Sequence, residues 1–339
     1  MGNDPGGDVN RRRSFPTRFI WFANPRGNAR FRIVKFAIFR AFIVLALTPA
    51  AHAVVVLSGA SNTTAPSGQP YFNNMGVVGD ATGIYLGDRW VLSANHVAPS
   101  LPATVNFGGT DYATAAGSFQ RIKNPGDSGL STFTDIVLFR LVADPGLPTL
   151  NIAAGSPTVG TDVMMIGRGR TQEASPAYWQ RTENPGPDDD IWTELAYPDP
   201  NINATGFKTT EIRTIRWGEN NVAENGLTVD YGHGDVRFFT TTFDSGAKTH
   251  EAQGVAGDSG GGVFSTTDGG ITWTLSGMMV AVSTYENQPS GSYTAVLGNE
   301  TAMADLGYYR SEILQLIPEP CSALLGVIGC GAIVMRRRR

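Results

Sequence analysis

Between residues 54 and 317 the apolar positions come in short runs, rich in β-branched and aromatic side chains and closed by Gly, Pro, Asn or Asp. Such runs read as strands, because branched and aromatic side chains suit a pleated, half-buried surface and the punctuating residues supply turns. The pattern predicts strands at 83–86, 90–93, 103–107, 136–141, 163–166, 236–242, 262–265 and 272–282. Many short strands separated by turn signals imply an all-β barrel or sandwich. After Thr301 the period changes: Leu306, Tyr309, Ile313 and Leu316 recur at helical spacing, which predicts an amphipathic helix docked on the strands. Asp144-Pro145-Gly146-Leu147-Pro148 marks a turn leading into a linker. Residues 171–230 are polar and rich in Pro and Asn, and read as a long insertion, with Trp217 and Asn220 available to pin it to the body.

The two ends follow other patterns. Residues 11–40 carry repeated arginines, residues 41–50 are apolar, and Ala51-His52-Ala53 follows. A basic region, a short apolar region and an A-x-A site are the order of an export leader, so residues 1–53 are expected to be removed by a signal peptidase after Ala53. The apolar run is too short to span a bilayer stably. At the other end Pro318-Glu319-Pro320 precedes an apolar stretch, 321–335, and then Arg336 to Arg339. The terminal arginines are expected to stay on the cytoplasmic side of the membrane.

Composition sharpens this picture. The 339-residue chain holds 41 glycines and only 17% charged residues, which suits a loop-rich exported β protein. Residues 54–317 hold 13 basic and 27 acidic residues, a net charge of −14. An acidic body argues against nucleic-acid or anionic-membrane partners. Both cysteines, Cys321 and Cys330, lie in the tail, so the body has no disulfide and must be stabilised by its core. No GxGxxG, Walker or HExxH motif is present, and no cofactor is expected. Asp188, Asp189 and Asp190, with Asp199 nearby, offer calcium-type ligands at a spacing that fits no calcium loop, so a solvated acidic loop is the expectation and no metal is assigned.

Three segments carry chemistry. Gly257-Asp258-Ser259-Gly260-Gly261-Gly262 surrounds a serine with small residues, so the main chain can turn sharply and a substrate can approach. A serine hydroxyl needs a base beside it and donors for the oxyanion it creates; the Gly257 and Ser259 amides are candidate donors. Trp90-Val91-Leu92-Ser93-Ala94-Asn95-His96-Val97 ends an apolar run with a histidine placed where a strand yields to a turn, a good position for a base. Asp135, in Thr134-Asp135-Ile136-Val137-Leu138-Phe139-Arg140-Leu141, opens an apolar run and is either a strand-end cap or the carboxylate that orients the histidine.

With these three motifs in the order His, Asp, Ser, residues 76–310 resemble the chymotrypsin-like (trypsin-fold) serine proteases. The resemblance implies two six-stranded antiparallel β-barrels with the active site between them and a C-terminal helix. The first barrel is expected at 54–155 with His96 and Asp135, and the second barrel and helix at 156–317 with Ser259 and the insertion 171–230. It implies His96 as general base, Asp135 as its orienter, Ser259 as nucleophile and the Gly257 and Ser259 amides as oxyanion donors, in a serine endopeptidase acting on a protein or peptide substrate. Gln253, six residues before Ser259, falls at the base of the primary pocket by the same alignment, with 278–283 as the opposite wall. His250 and Glu251 stand close to that pocket in sequence, and surface positions are expected for them. The family's Ser-Trp-Gly segment is not evident. In many members the carboxylate before the nucleophile pairs with a freed N-terminal amine. Here no IVGG-type site is present, cleavage after Ala53 leaves Val54-Val55-Val56, and an internal partner for Asp258 is expected. The tail, 318–339, resembles the PEP-CTERM sorting signal of Gram-negative bacteria, which implies export across the inner membrane, an exosortase-type processing enzyme, and secretion or surface attachment, with a permanent C-terminal anchor as the alternative. A non-catalytic surface protein on the same fold and an esterase using the same three residues are the other readings of the body.

Overall fold

The computed structural model describes residues 19–20, 54–59, 62–69, 71–126, 128–184, 190–246 and 248–317. The expected sorting tail, 318–339, and, apart from 19–20, the expected export leader, 1–53, lie outside these residues.

The first sheet is built from β3 (Met75–Val78), β4 (Ala81–Gly87), β5 (Trp90–Ala94), β6 (Thr104–Phe107), β7 (Thr110–Ala113), β8 (Gln120–Lys123) and β9 (Phe133–Arg140), in the order β7-β6-β3-β4-β5-β9-β8. It curls shut: Thr114, just after β7, bridges Leu141, just after β9, while β8 pairs with β9 itself. β7 and β8 are therefore two halves of one strand, broken at a turn where Gly117 takes a φ of 72°. Six staves close the ring.

The second sheet contains β10 (Asp162–Gly167), β15 (Arg216–Asp230), β16 (Asp235–Thr242), β18 (Gly262–Thr266), β19 (Thr274–Ser283) and β21 (Glu300–Asp305). The order β19-β18-β10-β15-β16-β21 closes because β21 pairs back onto β19, and every pairing is antiparallel. Closure leaves few open edges. One of them, the far end of β19, is taken by the two-residue β1 (Phe19–Ile20), which pairs with Val282 and Ser283.

The alternation of side chains along these strands sorts the core into three regions. Val91, Val105, Val137 and Phe139 fill the first ring. Val163, Met165, Val263, Met279 and Met303 fill the second. The opposite faces, Leu92, Ile136 and Leu138 from the first and Ile166, Phe238, Phe264 and Met278 from the second, belong to one cluster joining the rings. β5 and β19 are buried on both faces for this reason, and so read as unbroken apolar runs. Between β10 and β15 a smaller sheet projects, made of β11 (Arg170–Gln172), β12 (Ala177–Thr182), β13 (Ile191–Leu195) and β14 (Ala204–Arg213); β20 (Thr294–Val296) adds to β14. Near the body's start β2 (Val55–Val56) pairs with β17 (Ala252–Gln253).

Two expectations need correction. The insertion does not run to 230: Arg216–Asp230 is a ring strand. Its inward positions, Arg216, Gly218, Asn220 and Val222, are mostly polar or small, so the usual apolar signal is missing. Gly218 is required, since a Cβ there would stand 2.2 Å from that of Ala252. The helix is also shorter than its periodicity predicts. Thr301 lies in β21, and α1 covers Arg310–Leu316 only, because ring closure claims the preceding residues.

Candidate active site

His96 leaves the end of β5, and Asp135 sits on the neighbouring β9. The pairing of these strands fixes their separation: Asn95 N–H donates to the Asp135 carbonyl at 2.9 Å. The Asp135 carboxylate then receives the His96 backbone N–H on Oδ1 at 2.8 Å and faces His96 Nδ1 with Oδ2 at 2.6 Å. A carboxylate only accepts, so Nδ1 carries the proton and Nε2 is left as an acceptor. Ser259 Oγ stands 2.8 Å from that Nε2. Asp135 and Ser259 are wholly buried. A second-ring residue that the sequence reading missed, Tyr231 after β15, places its hydroxyl 3.4 Å from Asp135 Oδ2; burial, then the charge of Asp135, raises its phenol well above the usual value.

The Ser259 turn hangs between the two rings. Gly260 N–H donates to the Met279 carbonyl, and Met279 N–H to that of Gly261, both at 2.9 Å. From the first ring, Thr82 N–H donates to the Ser259 carbonyl at 3.0 Å, and its Oγ1 donates to the Gly257 carbonyl at 3.2 Å. Gly260 has a φ of 80°, and a Cβ on it would lie 2.0 Å from the Thr82 carbonyl oxygen, so glycine is obligatory. Neither the Gly257 nor the Ser259 amide donates to another described residue. Unused amides beside a hydroxyl are donors available to an anion.

Asp258 braces this turn from behind. Its Oδ1 accepts from Gly169 N–H at 2.6 Å, its Oδ2 from Val255 N–H at 2.8 Å, and Val54 N–H adds a third donor. Burial nevertheless pushes its carboxyl up to about 7, against the lowering effect of these bonds. Gly167 and Gly169 make room, since a Cβ at either would lie within 2.4 Å of the carboxylate. The partners of Asp258 in the structure are thus backbone amides, one of them at the residue expected to follow the leader.

Other sequence candidates are placed differently. Gln253 is sealed inside β17; its Nε2 approaches Asn299 Oδ1 at 3.4 Å and its Oε1 has no partner among the described residues. In this conformation its side chain is wholly buried, which closes it off from substrate. Glu251 is buried rather than on the surface, and burial, then the Asp244 charge, pushes its carboxyl up to about 8. His250 is half-buried with its ring 4.7 Å from that of Trp217. Asn220 ties β15 to Thr242 and Ala252 through its side-chain amide, while the Trp217 indole donates to Thr64. Of the aspartate run, Asp188 and Asp189 lie outside the described residues, Asp190 pairs with Arg181 at 2.6 Å and Asp199 caps its own turn at Asn201. No group of three or more His, Cys, Asp or Glu among the described residues is placed to hold a metal. Beside His96 a cavity of about 350 Å³ is lined by Asn95, Arg121, Phe133 and His233, and the His233 ring lies 5.8 Å from that of His96. Burial lowers the His233 imidazole below its usual value.

No family model and no curated protein matches the chain. Among solved structures it is similar to neuropsin, a serine protease expressed in the limbic system of mouse brain, at 19% identity and a TM-score of 0.43 over 76% of this chain and 98% of that one. It is also similar to the inactive form of the Rv3671c protease, at 14% identity and a TM-score of 0.39 over 73% of this chain and 90% of the other. An inactive mutant of Rv3671c from M. tuberculosis gives 13% identity and a TM-score of 0.35 over 74% and 90%. These likenesses are too distant to assign chemistry.

Proposed function

We propose that this chain is an exported serine endopeptidase in which Ser259 is the nucleophile, His96 the general base and Asp135 the orienting carboxylate. The observation that carries the reading is the unbroken relay from Ser259 Oγ through His96 to Asp135, at 2.8 and 2.6 Å, next to two uncommitted amides. The sequence of events follows from those groups. Ser259 attacks a peptide carbonyl while His96 Nε2 takes its proton. The Gly257 and Ser259 amides receive the oxyanion, each such donor being typically worth about 3–4 kcal/mol in the transition state. His96 then protonates the leaving amine, and water repeats the cycle on the acyl-enzyme. Asp135 fixes the imidazole tautomer and offsets the charge of the imidazolium. Once residues 1–53 are removed, the edge of β19 at Val282 and Ser283 that β1 occupies would be free for a substrate backbone to pair on.

Export, leader removal by a signal peptidase after Ala53 and exosortase-type handling of the Pro318-Glu319-Pro320 tail belong to the same proposal, supported by the order of basic, apolar and small residues at the two ends. Peptide and simple ester substrates offered to the exported protein and to its Ser259→Ala variant test the activity. Hydrolysis of casein that falls by a factor of about 10⁴ or more in the variant supports the endopeptidase. Ester turnover without peptide cleavage makes the protein an esterase. No turnover of either by a folded protein makes it a non-catalytic surface protein.

A further inference from the structure

Two arginines stand against the Gly257 end of the Ser259 turn. Arg168 follows β10, and Arg213 ends β14. A Cβ on Gly257 would lie 3.1 Å from the Arg168 carbonyl oxygen and 3.5 Å from Arg213 Nε. Arg168 N–H donates to Thr82 Oγ1 at 2.9 Å, the same hydroxyl that donates to the Gly257 carbonyl. Arg213 Nη1 donates to the Asp80 carbonyl and lies 3.7 Å from Asp80 Oδ1. Its Nε and Nη2 have no hydrogen-bond partner among the described residues. The guanidinium of the half-buried Arg168 makes no hydrogen bond or ion pair to any described residue. Burial, then the charge of Arg213, lowers it below its usual value, and Asp80 offsets this in part. Two cations thus share one largely exposed carboxylate beside a candidate oxyanion amide, in a body whose net charge is −14. Arg170, in register with Arg213, is by contrast engaged: it pairs with Glu211 at 3.1 Å and lies over the Tyr293 ring. Guanidinium donors left open beside a like charge favour a further anion, and their fork matches a carboxylate.

We propose that Arg168 and Arg213 form a carboxylate-binding subsite that selects an acidic side chain on the leaving-group side of the scissile bond. The inference rests on the endopeptidase reading above. The β19 edge gives the direction of the substrate chain. β1 lies antiparallel on that edge, with Phe19 opposite Ser283 and Ile20 opposite Val282. A substrate laid there in the same sense runs from Ser283 towards Met279, which is bonded to the Ser259 turn at Gly260 and Gly261. Residues on β19 therefore precede the scissile bond. Those after it continue past the Ser259 hydroxyl to the other end of the turn, where Thr82, Arg168 and Arg213 meet Gly257. The acidic body repels acidic peptides in general, and the two arginines reverse that repulsion at one position.

The test digests a mixed peptide library with the exported protein and maps the cleavage sites by mass spectrometry. It then compares kcat/KM for two peptides that differ only in Glu or Gln at the selected position. Wild type is expected to enrich Asp and Glu at one fixed position within about three residues after the scissile bond, and to prefer the Glu peptide by about fivefold or more. In Arg168→Gln that ratio is expected to fall to about twofold or less, and Arg168→Glu is expected to turn the preference towards Lys at the same position. A merely structural loss would not reverse the preference. Arg213→Gln, expected to lower the ratio in the same way, covers the case in which the Arg168 variants do not fold. No acidic enrichment by wild type, enrichment only before the scissile bond, or a folded variant that keeps the wild-type ratio overturns the proposal. Folded wild-type protein that cleaves no peptide overturns the endopeptidase reading itself, and the subsite with it.

Discussion

At the scale of single residues, the site depends on side chains placed by backbone contacts that leave no slack. Gly169 is the clearest case. A Cβ there would stand 2.3 Å from Asp258 Oδ2, and neither the strand end nor the buried carboxylate has room to yield. Gly169→Ala is therefore expected to cost about 2 kcal/mol or more in denaturant unfolding and to slow Ser259 chemistry with it. A variant of unchanged stability and rate would show that the carboxylate has freedom the structure denies it. Tyr231 predicts a smaller effect. Its hydroxyl lies at the long limit of a hydrogen bond to Asp135, so Tyr231→Phe is expected to lower kcat roughly threefold to tenfold with KM unchanged. A rise in KM alone, with kcat unchanged, would place the hydroxyl in substrate contact instead. The local motifs around His96, Asp135 and Ser259 were legible because each is a strand end or tight turn written in adjacent residues. Thr82 and Tyr231 were not, because each reaches the site from a distant strand and nothing in its own neighbourhood marks it. Gln253 misled for the converse reason. Its spacing from Ser259 is local, but its burial is set by distant chain, including β2, whose Val55 is its partner in the pairing with β17.

At the scale of elements, the strand pattern was readable wherever burial was two-sided and apolar, as in β5, β9 and β19. It failed at β15, whose inward face is an arginine, a glycine and an asparagine. The loop following β16 carries a prediction of its own. Glu251 is buried there with Oε2 unpartnered among the described residues, and its carboxyl is pushed from 4.5 up to about 8. Because the folded value exceeds the unfolded one, the stability this group allows is fully present below pH about 4.5 and is lost as pH rises through about 8. Asp258 acts in the same direction between about 3.8 and about 7. Wild-type stability is thus expected to fall between pH 5 and pH 8, and Glu251→Gln to fall less, by enough to raise the alkaline Tm several degrees. Parallel pH dependences for the two proteins would refute the burial of an uncompensated carboxyl.

At the scale of the whole molecule, the all-β architecture followed from the punctuation of short apolar runs, whereas the closure of each sheet into a ring is a long-range property that no window of sequence contains. The join between the rings is what matters for chemistry. The first supplies His96, Asp135 and Thr82; the second supplies Ser259 and Tyr231; one apolar cluster, drawn from the outer faces of both, holds them in register. A site divided in this way is assembled only when both rings fold and dock. The expectation is that loss of Ser259 reactivity coincides with the main cooperative unfolding transition instead of preceding it.

The most direct test of the account is fluorophosphonate labelling of the folded protein, with the adduct mapped by mass spectrometry and the rate compared with that of His96→Ala. The account predicts a single adduct on Ser259 in wild type, formed at least a hundredfold faster than in the variant, because the relay from Oγ to Nε2 is what activates the hydroxyl. Absence of an adduct on folded wild-type protein, or equal labelling of Ser259 in both proteins, would contradict it.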